Sequence, residues 1–307
     1  MLLKIRPAQL NDRNDVLKFC VNTFDWGDYI DRVWNSWYSD SNGRLIIAEY
    51  EPDWYTVESN TGIKSSAIVA VSHVYLCPNR KVIWLEGIRI RSDYRRRHIA
   101  TELIRKMLEY GIEQNAKESA AIVSTNNVPS QLLMQRNGFT KISKWNYFSG
   151  YVTRNDSSTN GYKVKVAIWD DIDSIFKYLK SSEIFKISGE SYVDMWRWYT
   201  LDPTSLFHLI TNKSVLVVEN SDYSIAGIAI INKDYDKQLQ ILYLDTNINH
   251  LSVLKHLILY AINLDCLKIK ENERLQIFSP QVPYVNIVMK CLGINQCEEF
   301  LLYKRKI

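Results

Sequence analysis

The sequence predicts an α+β fold, a mixed and mostly antiparallel sheet flanked by helices, and predicts it twice along the chain. Three observations carry this. Strand-length segments of alternating polarity are interleaved with amphipathic segments of helical period. The order of those segments in the first half returns in the second, and two short strings recur in matching order.

The first half opens with an alternating strand at Leu2 to Arg6, then helical stretches over Asn14 to Phe24 and Tyr29 to Trp37. Strands follow at Arg44 to Tyr50, Ala67 to Leu76 and Val82 to Arg91. The next helix is strongly patterned, with Ala100, Leu103, Ile104, Met107, Leu108 and Ile112 on one face and Glu102, Arg105, Lys106, Glu109 and Glu113 on the other, so it is expected to pack on a sheet. A strand at Ala120 to Ser124, a helix from Val128 to Asn137 and strand signals after Gly138 close the half.

The stretch YVTRNDSSTNGY, residues 151–162, is a run of small polar residues that reads as a linker. It divides the chain into domains at 1–150 and 163–307. The second domain repeats the order: a strand at Lys163 to Ile168, helices around Ile172 to Lys180 and Val193 to Tyr199, and strands at Ser214 to Glu219, Ile225 to Ile231 and Leu239 to Leu244. A helix carrying Leu254, Leu257, Ile258, Ala261 and Ile262, a strand at Arg274 to Phe278 and a helix from Val282 complete it. DYIDRVWNSWY at Asp28 to Tyr38 is matched by SYVDMWRWY at Ser191 to Tyr199, and NVPSQLLMQRNG at Asn127 to Gly138 by QVPYVNIVMKCLG at Gln281 to Gly293, which points to duplication.

With 307 residues, each half is long enough to bury a core. The apolar fraction of 46% is ordinary, and no stretch reaches membrane-spanning length. The N-terminus MLLKIRPAQLND turns charged almost at once and does not read as a secretory signal, so a cytoplasmic protein is expected. The five cysteines, Cys20, Cys77, Cys266, Cys291 and Cys297, form no CxxC pair, which argues against a disulfide framework or a zinc site. A net charge of +4 is far from that of a dedicated nucleic-acid binder. A homodimer is left open.

The chemistry is concentrated in EGIRIRSDYRRRHIATELIRKMLEYG, Glu86 to Gly111, where a strand ends, a basic loop turns and the amphipathic helix begins. Exposed N–H groups at a helix N-terminus, with the positive end of its dipole, suit a pyrophosphate, and Arg95, Arg96 and Arg97 add charge beside them. The basic run could instead be a nucleic-acid patch, but no aromatic stacking platform accompanies it.

At these residues the chain resembles the GNAT superfamily of acyl-CoA-dependent N-acyltransferases. The family's loop reads R/Q-x-x-G-x-G/A; Arg95 fills its first position, Ala100 its last, and His98 stands where the central glycine belongs. Asn127 to Phe139 is similar to the family's N-x-x-A-x-x-x-Y-x-K-x-G-F helix through Asn127, Ser130, Leu133, Arg136, Gly138 and Phe139, with Met134 in place of the tyrosine. The resemblance implies tandem GNAT-like domains and acetyl-CoA as the acyl donor. It implies a strand, Ile88-Arg89-Ile90, that splays from its neighbour and presents backbone groups to the pantetheine arm. It also implies contacts to the cofactor from the loop and helix start, Arg95, Arg96, Arg97, His98, Ile99, Ala100 and Thr101, and from Asn127 and Ser130.

Transfer to an amine needs that amine neutral when it attacks, and Glu86, on the strand where family members often place a catalytic glutamate, is the candidate base; burial would raise its pKa. Its other reading is a structural carboxylate that orients Arg89 or another cation. Backbone N–H groups near Ile88 to Ile90 would meet the oxyanion. The family's tyrosine protonates the departing thiolate, and Met134 has no proton to give. Phe24, Trp26, Tyr29, Trp34, Trp37 and Tyr38 either wall the acceptor pocket or simply fill the core. After Leu239 to Asp245 the second half reads TNINHLS, without arginine or glycine and with Asp245 at the helix entrance, where it would repel diphosphate. One cofactor site is therefore expected, in the first half. The implied reaction is acetyl transfer to a small-molecule, amino-acid or protein amine; the alternative is a CoA-binding or regulatory module without turnover.

Overall fold

The computed structural model describes residues 2–21, 23–24, 27–51, 67–78, 81–151, 163–232, 239–246, 251–264 and 274–307. The proposed linker lies outside the described residues except for Tyr151, as do Trp26, Cys266 and 247–250 of the TNINHLS stretch.

By contact, the chain forms two compact units, one of Met1–Ala121, Val128–Thr140 and Tyr303–Ile307, the other of Ile122–Asn127 and Lys141–Leu302. These differ from a linear cut at 151–162, because each unit draws on chain from beyond the cut. Periodicity identifies a strand but not the neighbour it pairs with, so the sequence alone does not reveal this.

Unit 1 begins with β1 (Leu2–Pro7), α1 (Arg13–Cys20), α2 (Ile30–Tyr38), β2 (Gly43–Glu51), β3 (Ala67–Leu76) and β4 (Val82–Ile90). It continues with α3 (Ile99–Glu113), β5 (Glu118–Ser124) and α4 (Val128–Arg136). β1, β2, β3 and β4 follow one another antiparallel, and β5 pairs parallel with β4. The helix register predicted for α3 holds for Leu103, Ile104, Met107 and Leu108, which are buried, but Ile112 is 63% exposed. α1 and α2 form their own core with the sheet through Val16, Cys20, Ile30, Trp34, Trp37, Leu45, Ile47 and Val71.

The rest of the chain contributes β6 (Thr140–Tyr151), β7 (Lys163–Val166), α5 (Ile172–Ser181), α6 (Glu183–Ile187), β8 (Ser191–Asp194), β9 (Arg197–Thr200) and α7 (Pro203–Thr211). Then come β10 (Val215–Glu219), β11 (Ile225–Asn232), β12 (Leu239–Thr246), α8 (Leu251–Asn263), β13 (Arg274–Pro280), α9 (Pro283–Cys291) and β14 (Asn295–Lys306). In unit 2 the strand order is β14-β6-β13-β12-β11-β10-β7.

The helix predicted at Val193 to Tyr199 is instead the hairpin β8–β9. Met195 and Trp196 turn it with φ of 46° and 64°. Tertiary packing overrides the helical reading: Trp198 is 2% exposed, and Trp196 and Trp198 both stack edge-on against Phe278. The string matched to α2 is therefore a hairpin in the second copy, whereas the other matched pair forms helices in both, α4 and α9.

Candidate active site

β4 is shaped by its two neighbours. On one side its parallel pairing with β5, among the described residues, covers Val82↔Glu118, Ile83↔Ser119 and Trp84↔Ala120, so Leu85 to Ile90 run on beyond that partner. On the other side the register steps from His73↔Glu86 to Val71↔Arg89, which places one extra residue in β4. This is a β-bulge, and bulges re-aim side chains. Gly87 occupies it with φ of +69°, and a Cβ there would sit 2.5 Å from the Trp37 ring, so the close approach of Trp37 requires glycine.

Glu86, immediately before the bulge, is 15% exposed at its side chain and accepts a hydrogen bond from His73 Nδ1 at 2.8 Å. Of the groups a structural Glu86 could orient, Arg89 is paired elsewhere, with Asp28, and His73 is a partner that Glu86 meets. Arg89 donates to Asp28 through Nε at 2.7 Å and through the terminal nitrogen at 3.2 Å, and its guanidinium lies 4.9 Å from the Phe24 ring centre and 5.0 Å from that of Tyr29. Burial pushes the Asp28 carboxyl up, but the hydrogen bonds from Arg89 and Thr23 outweigh it and leave Asp28 below its usual range. Burial likewise raises the Tyr29 hydroxyl, partly offset by Arg89. Of the aromatic cluster, Trp34 and Trp37 are core residues, while Phe24 and Tyr38 are 38% and 41% exposed.

Beyond Ile90 the chain makes a short loop. Arg91 pairs with Asp93 at 2.7 Å, and Arg91 and Arg97 both lie over the Tyr94 ring. Arg95 Nε donates to the Ile90 carbonyl at 3.3 Å, and an Arg97 terminal nitrogen to the Asp93 carbonyl at 3.2 Å, which draws the loop together at the end of β4. Arg95, Arg96, Arg97 and His98 are all exposed. The backbone turns left-handed at Arg96 and again at His98, each with φ of 61°. His98 thus keeps the backbone conformation that glycine adopts freely, at a cost of about 1–2 kcal/mol for a residue with a Cβ.

His98 is the N-cap of α3, and no side chain caps this end. The first-turn N–H groups, including those of Ile99, Ala100 and Thr101, have no partner within the helix and face the end where the dipole is positive. Ile99 is buried and anchors the turn. Ser130, half-buried, lies in α4, and Asn127, exposed, precedes it and belongs to unit 2. Met134, where the motif has tyrosine, is a core residue at 3% exposure.

Sequence reasoning missed His73 as the partner of Glu86. Counting the antiparallel register back from the β3–β4 turn is the signal that could have found it.

In the second copy, Asp245 does not face a helix entrance as expected. It lies within β12 at 0% exposure and accepts hydrogen bonds from Tyr178 at 3.1 Å, Ser182 at 2.7 Å and Tyr243 at 2.6 Å. β12 is buried along its whole length, so Asp245 meets these three hydroxyls rather than an exposed helix entrance. Among the described residues there is no cluster of three or more potential metal ligands, and no helix is long and apolar enough to cross a membrane.

A strand that runs on past its parallel neighbour, a bulge within it and a basic turn into the N-terminus of a helix stand together in a mixed α+β fold. Residues 13–139 match the acetyltransferase (GNAT) family, and the chain shares its fold with solved GNAT structures, a tandem one among them. The structure of a GCN5-related N-acetyltransferase from Sphaerobacter thermophilus aligns with a TM-score of 0.62 at 9% identity, covering 99% of this chain and 95% of that one. A tandem GNAT protein from the clavulanic acid biosynthesis pathway aligns at 0.51 and 11% identity, covering 99% and 98%. In sequence, the aminoglycoside N(6')-acetyltransferase type 1 of Salmonella typhimurium is 30% identical over 80 residues, 25% of this chain and 55% of that enzyme. The chain thus spans about half the length of the curated relatives it matches.

Proposed function

We propose that this protein transfers an acetyl group from acetyl-CoA to the primary amine of a small molecule, by direct attack in a ternary complex. The observation that carries the reading is the turn from β4 into α3: an uncapped helix start beside Arg95, Arg96 and Arg97, reached from a strand with no parallel partner past Trp84. The residues fit a diphosphate nucleotide, since His98 follows the left-handed path of the glycine it replaces. Amide hydrogens of Ile99, Ala100 and Thr101 would hold the diphosphate with the three arginines, and the backbone of Ile88, Arg89 and Ile90 would line the arm. Bound there, acetyl-CoA would supply the acetyl group as a thioester, with the CoA thiol as the leaving group.

The chain's own part is proton management and orientation. Glu86 takes the proton that an ammonium sheds to become a nucleophile. Arg89, fixed by Asp28, stiffens the wall that α2 presents to the strand. Backbone N–H groups near the bulge meet the developing oxyanion. Met134 has no proton to give, so the departing sulfur takes one from another donor or from water. The aminoglycoside acceptor of the Salmonella relative supports a small amine over a protein terminus.

One observation favours a second reading, a CoA-binding module without turnover: the tyrosine position holds a buried methionine. Calorimetry with acetyl-CoA, followed by thiol release on a panel of amines including a 6'-amino aminoglycoside, tests both. Binding with release on an amine is expected. Binding without release on any amine selects the second reading, and no heat at millimolar acetyl-CoA rejects both.

A further inference from the structure

Behind Glu86 lies a buried histidine held from several sides. His73 on β3 stands opposite Glu86 in the strand register and is 0% exposed at its side chain. The Trp37 ring covers one face, with centroids 4.6 Å apart and planes 5° from parallel. Its Nε2 is buried without a hydrogen-bond partner and points at Gly43, where a Cβ would come within 2.5 Å. Two glycines therefore make room for one stack: Gly43 for the imidazole edge, Gly87 for the indole.

This arrangement determines the tautomer. The carboxylate accepts from Nδ1 and nothing among the described residues accepts at Nε2, so the ring's proton lies on Nδ1. The other charged and titratable groups around the pair are Asp40 beyond Gly43 and, on the side of Glu86, Tyr29 and the Arg89–Asp28 ion pair. Arg89 donates to Asp28 at 2.7 Å, and the imidazole is a donor on Glu86 Oε1 at 2.8 Å. A buried polar side chain with an unmet nitrogen is costly to keep, which suits a role that the fold alone does not require.

We propose that His73 is a positioning residue: its Nδ1–H holds Glu86 Oε1, orienting the carboxylate and favouring its ionised form, so that it serves as the base. This rests on reading Glu86 as the base. The test follows the Glu86 carboxyl carbon by NMR on the full chain, assigned with Glu86→Gln, as pH is varied. His73→Leu is expected to raise the midpoint by about one pH unit, a tenfold change in ionisation, because a hydrogen bond to the charged form is lost. His73→Gln, which keeps an N–H donor, is expected to restore most of it, and the acid limb of kcat/KM in thiol release should move with the midpoint. An unchanged midpoint in folded His73→Leu overturns the proposal. Should that variant not fold, Gly43→Ala, which displaces the ring, is read the same way. The two failures are distinguishable: full turnover in Glu86→Gln defeats the base itself, whereas loss of turnover there with an unmoved His73→Leu midpoint defeats only the role of His73.

Discussion

In unit 1 the parallel pairing of β4 with β5 ends at Trp84↔Ala120, and in unit 2 that of β12 with β13 ends at Ile241↔Ile277, so both strands run on past their partners. Both also carry one extra residue against the antiparallel neighbour. Each then presents a carboxylate. Glu86 is partly exposed and faces an imidazole; Asp245 is sealed among the hydroxyls of Tyr178, Ser182 and Tyr243. The same backbone device therefore places a carboxylate in two different surroundings. A carboxylate with access can exchange protons with a substrate, while one enclosed by donors serves the packing around it.

The sharpest way to break this contrast is to neutralise each carboxylate. Glu86→Gln is expected to lower kcat/KM for thiol release by about 10²–10⁴-fold, the range of a lost general base, while Asp245→Asn leaves it unchanged. A smaller effect separates them by stability. Burial raises the Asp245 carboxyl to about 6 against the partial opposition of its three hydroxyl donors. Between roughly pH 4 and 6 the folded chain then holds a proton that the unfolded chain has lost, so this group's contribution falls as pH rises through the window, by about 3 kcal/mol in all. Asp12 and Asp28, held low by Arg6 and Arg89, slope the other way and lose stability as pH falls. The difference in urea midpoints between the parent and Asp245→Asn, taken from pH 4 to 7, isolates Asp245.

Next in size is Gly87→Ala, which puts a methyl against the Trp37 ring at a left-handed residue and should cost about 2–3 kcal/mol in thermal or urea unfolding. Arg95→Ala should weaken acetyl-CoA binding by about tenfold and flatten its salt dependence, measured by calorimetry. The smallest change is His98→Gly. Relieving a left-handed backbone should add up to about 1 kcal/mol of stability and leave cofactor affinity equal or tighter.

Local pattern made much of unit 1 readable before any coordinates: the face of α3, the bounds of β3 and the turn at Arg95 to His98 all follow from periodicity and helix-end chemistry. What failed did so where distant residues decide. The hairpin at Ser191–Thr200 forms because Trp196 and Trp198 meet Phe278, some eighty residues on. Asp245 is expected at the entrance of a helix because polar residues follow it, but it lies in a strand buried along its whole length, among the hydroxyls of Tyr178, Ser182 and Tyr243. The pairing of Glu86 with His73 rests on a cross-strand register, which the periodicity of one strand by itself does not give.

The membership of Tyr303–Ile307 in unit 1 has a bearing on synthesis. A ribosome releases residues 1–140 long before these five, so the nascent unit must wait, its sheet short of a member, until they too are made. An expression fragment stopped near residue 150 repeats that unfinished state permanently, whereas one extended to Ile307 does not.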